Sequence, residues 1–137
     1  MDVTLLLCDH AEAINGKLYV MGGGWTVLYA ADRPVNISVA AIVAVPWDQT
    51  NRRHQIGLDL LDGEGVAVEI DGQPVALSGE FEVGRPPGVK PGTSFNTPFV
   101  WNLAGLTLQA GGYEWKLLLD GDPRASRAFV VAEPATV

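Results

Sequence analysis

Apolar and polar residues alternate with a period of two in several stretches, and no useful window repeats at 3.6 residues. In "PVALSGEFEVG", Val75, Leu77, Phe81 and Val83 fall on one face, and Ala76, Ser78, Glu80 and Glu82 on the other. In "GGYEWKLLLDG", Tyr113, Trp115, Leu117 and Leu119 oppose Glu114 and Lys116. In "HQIGLDLLDG", Ile56, Leu58 and Leu60 oppose Gln55 and Asp59. Such alternation marks half-buried strands of an antiparallel sheet. Val3 to Cys8 and Val39 to Val45 are apolar on both faces. They read as central strands or as strands covered by a partner subunit. Helix competes for "NISVAAIVAVPW", but its β-branched content and Pro46 favour strand.

The turn chemistry agrees. "NGK" (15–17), "DGEG" (62–65), "DGQP" (71–74) and "DGDP" (120–123) separate the alternating runs. Asn-Gly and Asp-Gly supply the positive φ angles of tight hairpins. The pattern predicts about eight strands, over 2–13, 17–30, 35–46, 54–62, 65–71, 74–84, 95–106, 111–120 and 124–132, with one or two merging or breaking. That spacing predicts an all-β fold, a single antiparallel β-sandwich of immunoglobulin-like or jelly-roll connectivity. The 137 residues argue for one domain over 1–137, with no repeat and no linker. Sixteen glycines and nine prolines fit a chain of many turns. A domain of this size buries about 68% of its unfolded surface and needs no staple.

Charge and cysteine content narrow the partners. A net charge of −7 repels phosphate backbones, so nucleic acid is not expected as a partner. One cysteine cannot form an internal disulfide, which points to a reducing compartment. The first residues, "MDVTLLLCDH", lack a basic segment, and their apolar run is too short for a secretory signal. The uncharged run Pro34 to Trp47 has 14 residues, below membrane-spanning length. The expectation is a cytoplasmic protein with no membrane partner.

Candidate chemistry starts at "CDHAE" (8–12). In a strand, Cys8, His10 and Glu12 share a face, spaced about 6–7 Å apart. Zinc asks for four converging ligands, and only His54 remains as a further imidazole. Cys8 and His10 are therefore weak metal candidates. As a nucleophile Cys8 fares no better: burial and the Asp9 carboxylate both raise its thiol pKa. The glycines 22–24 lack the lysine and Ser/Thr of a phosphate loop and read as a bulge or sharp bend. Asp62 and Glu64 in one turn, with Asp120 and Asp122 in another, form a calcium candidate if both turns share one end of the fold. The competing reading is that Asp-Gly serves the turn backbone alone.

For ligand or partner binding, Trp47 beside Asp48, Asn51 and Arg52 is the best small-molecule candidate; its structural alternative is a loop anchor. Gly84 to Pro98 holds four prolines, three glycines, Arg85 and Lys90. Connections this long are uncommon and often functional, the plainer reading being a crossover between two sheets. Trp101 and Trp115 read as core.

"LTLQAGGYEWKLLLDG" resembles the late strands of immunoglobulin-like sandwiches, where a Gly-x-Tyr turn enters a strand and the tyrosine hydroxyl ties down the corner. Gly111 and Tyr113 match that spacing, and Trp115 replaces the expected cysteine, which implies a disulfide-free domain. The blocks "CDHAEAINGKLYVMGGGW", "PWDQTNRRHQIGLDLLDGEG", "GGYEWKLLLDG" and "RAFVV" resemble a family of small bacterial proteins of unknown function, frequent in actinobacteria. That resemblance implies an all-β fold, a bacterial cytoplasmic source and no catalytic residues to transfer.

No constellation meets the geometric needs of catalysis, so the chain is expected not to be an enzyme and to need no cofactor. The leading expectation is a non-catalytic module that binds a protein partner or itself as a homo-oligomer. The alternative is a cupin-like or calcium-dependent small-ligand-binding protein, which the small number of histidines disfavours.

Overall fold

A computed structural model of the chain describes residues 1–134. The described residues are all-β. In chain order the strands are β1 (Asp2–Ile14), β2 (Lys17–Gly23), β3 (Val27–Leu28), β4 (Val35–Val45), β5 (Arg53–Asp62), β6 (Glu69–Ile70), β7 (Gln73–Pro74), β8 (Ala76–Glu82), β9 (Phe95–Leu106), β10 (Gly111–Leu119) and β11 (Asp122–Val131). A 3-10 turn at Trp47–Gln49 links β4 to β5.

The strands form one sheet of order β2-β1-β4-β9, a second of order β3-β11-β10-β5-β8, and a small β6-β7 ribbon; none closes on itself. Every strand pair is antiparallel except β3 with β11. One hydrophobic core takes the inward positions of both large sheets: Leu5, Leu7, Val39, Ala41 and Val43 from the first, Leu58, Leu60, Trp115, Leu117 and Phe129 from the second. These are the odd positions of β1 and β4 and the alternating positions of β5 and β10, as period-two patterning requires. Val3 to Cys8 and Val39 to Val45, apolar on both faces, lie side by side as paired central strands.

Turn residues fix the hairpins. Asn15 and Gly16, Asp71 and Gly72, and Asp120 and Gly121 all take positive φ, the conformation of two-residue hairpin turns. The stretch expected as one strand over 17–30 is two strands in different sheets. Gly22 and Gly24 have φ of +61° and +89°, and the chain crosses between sheets there. The stretch expected as a strand over 65–71 keeps only β6, because Asp62 holds the preceding turn by accepting the Glu64 and Val66 amides.

β1 and β2 do more than extend their sheet. Cys8 is the last β1 residue paired with β4, yet β1 and β2 stay paired out to Ile14 and Lys17. This free hairpin closes back over the outer face of its own sheet. Ala11 and Leu18 pack there on Cys8, Ala40 and Val100. Its tip residue Gly16 borders the same groove as Phe95 and Pro98 on β9. The apolar outer positions of the central strands are thus covered at Cys8 and Ala40 by the chain itself.

Candidate functional site

Trp47 and Arg85 are brought together. Pro46 ends β4, and the 3-10 turn that follows sets the Trp47 ring beside the start of the long 83–94 connection. The Arg85 guanidinium lies 3.9 Å from the Trp47 ring centroid, a cation–π contact. Its Nη2 donates to the Trp47 carbonyl at 2.7 Å and its Nε to the Thr50 hydroxyl at 2.6 Å. Thr50 in turn donates to the Trp47 carbonyl at 2.6 Å. Phe95 stacks on Trp47, their ring centroids 6.2 Å apart. Planar shape and several fixed donors let one arginine make all these contacts, which a lysine cannot reproduce.

The cluster anchors the connection between β8 and β9, which lie in different sheets. The long proline-rich stretch is therefore a crossover between sheets. Arg52 and Lys90, also candidates, do not join it. Both are exposed. Lys90 contributes a carbonyl that accepts the Thr93 amide and hydroxyl. Beside the cluster is an open groove of about 560 Å³, lined by Gly16, Val83, Arg85, Pro86, Phe95 and Pro98 among others. Its lining is mainly backbone and apolar side chain, with Arg85 already committed to Trp47 and Thr50.

The metal candidates do not converge. Cys8 is fully buried, and its thiol donates to the Ser38 carbonyl at 3.5 Å. Burial first, then the Asp9 carboxylate, push this thiol above its ordinary value, so the thiolate is disfavoured. His10 is exposed and its Nε2 meets Glu12 at 3.4 Å. His54 lies in the other sheet, on β5. The calcium candidate fails on register. Asp62 is opposite Tyr113 at the start of β10, whereas Leu119, next to Asp120, is opposite Ile56 at the far end of the same strand pair. The two acidic turns therefore sit at opposite ends of β5, about 20 Å apart at strand rise. Asp62 spends an oxygen on its own turn amides, and Asp120 is bound to His54 and Gln55. Among the described residues no three His, Cys, Asp or Glu side chains group to hold a metal ion.

Nothing in the residue pattern signals what His54 does. It is 3% exposed. Its Nδ1 lies 2.8 Å from Asp120 Oδ2 and its Nε2 2.7 Å from the Gln49 carbonyl. Both partners are acceptors, so both ring nitrogens donate, which requires the imidazolium. Burial opposes that charge, but the bonds to Gln49 and Asp120 outweigh it and hold the His54 pKa above the ordinary value. The Gln55 amide, then His54, pull the Asp120 carboxyl below its ordinary value. This pair fastens the 3-10 turn, β5 and the β10–β11 turn to one another. It is an internal fastening: the ring has no free nitrogen for substrate or metal.

At the start of β10 the Tyr113 hydroxyl donates to the Gln109 carbonyl at 2.8 Å. Burial, then the Asp62 and Asp32 carboxylates, raise its phenol pKa. Trp115 is core, as expected, and Trp101 packs partly buried against it.

Residues 3–132 match a family of unknown function, DUF6941. The chain belongs to that family. The DUF6941 match runs from β1 to the end of β11 and so takes in both sheets and every residue discussed above. No curated protein matches the chain. Among the described residues no helix is long and apolar enough to cross a membrane.

Proposed function

We propose that this DUF6941 chain is a non-catalytic protein-binding or self-assembly module, built as one β-sandwich of immunoglobulin-like connectivity and working in a bacterial cytoplasm. The observation that carries the functional reading is the fate of the polar side chains. Arg85, His54, Asp120, Asp62 and Cys8 each bond to groups of the chain itself, and the two that border an open groove, Arg85 and Asp62, are among those so committed. Catalysis needs a nucleophile, base or electrophile aimed at a space where a substrate fits. What remains available is apolar surface on an edge strand, with Tyr19, Val20 and Met21 exposed on β2. Large exposed apolar side chains grouped together mark contact surfaces.

The connectivity reading rests on strand order. The sequence β1-β4-β9 with β11-β10-β5-β8 matches the arrangement in which strands A, B and E oppose strands G, F and C. The Tyr113–Gln109 bond at the entry to β10 is the corner expected of the F strand. The buried lone cysteine, free of any disulfide, fits a reducing compartment.

Light scattering across a dilution series tests self-assembly. The expected result is an average mass above 14.6 kDa that falls toward that value on dilution. A constant 14.6 kDa at every concentration would remove the self-assembly half of the reading.

A further inference from the structure

We propose that β2 is the edge through which two copies of this chain pair, antiparallel and about a twofold axis. This inference deepens the self-assembly reading and rests on it. The two large sheets have four edges, formed by β2, β9, β3 and β8. Exposed edges recruit other strands unless something blunts them, and short length, proline and charge are the common devices. β9 carries Pro98 within its run, β8 carries Glu80 and Glu82, and β3 is only two residues long. β2 is neither short nor proline-bearing, and its one charge, Lys17, sits at its first residue. Its seven residues, "KLYVMGG", contain no proline and no charge after Lys17. Tyr19, Val20 and Met21 are 53%, 37% and 68% exposed. The chain blunts three edges and leaves one open.

Charge selects the occupant. Lys17 stands at one end of β2. At the other end the Asp9 carboxylate lies against Gly22, so close that a Cβ there would collide with it. A strand with a cation at its start and an anion beside its end complements itself when reversed. An antiparallel second copy brings each Lys17 to the end where the other copy's Asp9 lies, and a twofold axis makes both contacts equivalent. A parallel strand would set like ends together. Next to β2, Asp9, Gly22, Trp25, Val27 and Leu28 are among the residues that border a shallow cleft of about 450 Å³ with a mixed polar and apolar lining, and Val27, Tyr29 and Val130 are exposed. One strand pair with a small apolar margin is a small interface, so the dimer is concentration-dependent.

The test uses the full chain in sedimentation velocity over a wide concentration range. It compares the native sequence with Met21→Glu and Tyr19→Glu, and with Val66→Glu as a control at another exposed apolar position, 58% accessible and away from β2. Circular dichroism confirms that each variant is folded. Val20→Cys, at the centre of β2 where the twofold axis sets the residue against its own copy, is then oxidised in dilute solution; the sole native thiol, Cys8, is buried and does not compete. The expected result is a native dimer, association weakened at least tenfold by either β2 glutamate and unchanged by Val66→Glu, and a cross-linked dimer from a β2 cysteine. A native dimer that both β2 glutamates leave intact, with no cross-link, overturns the assignment of β2 while self-assembly through another surface stands. A native chain that is monomeric throughout overturns this inference and the self-assembly reading together.

Discussion

At the scale of single residues, His54 is the most informative side chain. Its protonated form donates to both Asp120 and Gln49, so its folded pKa is raised. A raised histidine stabilises the fold fully below its unfolded value of about 6.5, and the contribution is lost as pH rises through the folded value. Asp120 is lowered, so its contribution is present above about 3.9 and lost as pH falls through its folded value. The pair therefore stabilises most in mildly acidic solution. Urea midpoints of the native chain should fall between pH 5.5 and pH 8.5 by more than those of His54→Gln or Asp120→Asn; equal slopes would show that the imidazolium is not what holds the three segments. Trp115 offers a second measure. It is fully buried, and its indole N–H finds no acceptor among the described residues. Trp115→Ala should cost about 3–5 kcal/mol by opening a cavity. Trp115→Phe should cost clearly less, because it also removes the orphaned donor. Chemical denaturation separates the two. Cys8 shows how far residue types could be read in advance. Its place in an apolar strand forecast burial and an unreactive thiol. The expected common face of Cys8, His10 and Glu12 is not what the burial shows: Cys8 is buried with Ala11, while His10 and Glu12 stand in water, and nothing local encodes the hairpin closure that separates them.

At the scale of elements, turns and strands were legible because Asn-Gly, Asp-Gly and period-two alternation act locally. The break within 17–30 was not, because three glycines are compatible with both a continuous strand and a crossing. The structure shows why the crossing occurs there: Asp9 occupies the space a side chain at Gly22 would need, and the positive φ favours glycine. Gly22→Ala should therefore cost about 1–2 kcal/mol, and replacing Asp9 with Gly should recover part of that loss; a neutral Gly22→Ala would remove the close approach from the account. The long connection between β8 and β9 is pinned by Arg85 through Trp47 and Thr50. Arg85→Ala should speed amide hydrogen exchange across residues 86–94 while lowering global stability by only about 1 kcal/mol, and Arg85→Lys should not restore protection. Exchange in this segment that ignores Arg85 would return the loop to candidate status as a mobile binding element.

At the scale of the whole molecule, alternation announced two layers of strand sharing one core, but strand order and edge exposure depend on pairings between distant segments. Apolar residues on both faces of the central strands pointed to a covering partner. The cover at Cys8 and Ala40 is the chain's own hairpin, and the exposed apolar strand is β2 on that same hairpin. The reason to expect association therefore moves from the sheet face to a sheet edge. The proposed role of this molecule is binding through that surface. It is tested most directly by hydrogen exchange of the native chain at high and low concentration. Amides of residues 18–23 should gain protection as concentration rises while β9, at the opposite edge of the same sheet, does not. Exchange at 18–23 that stays fast at every concentration, or protection that appears at β8 or β9 instead, would contradict it.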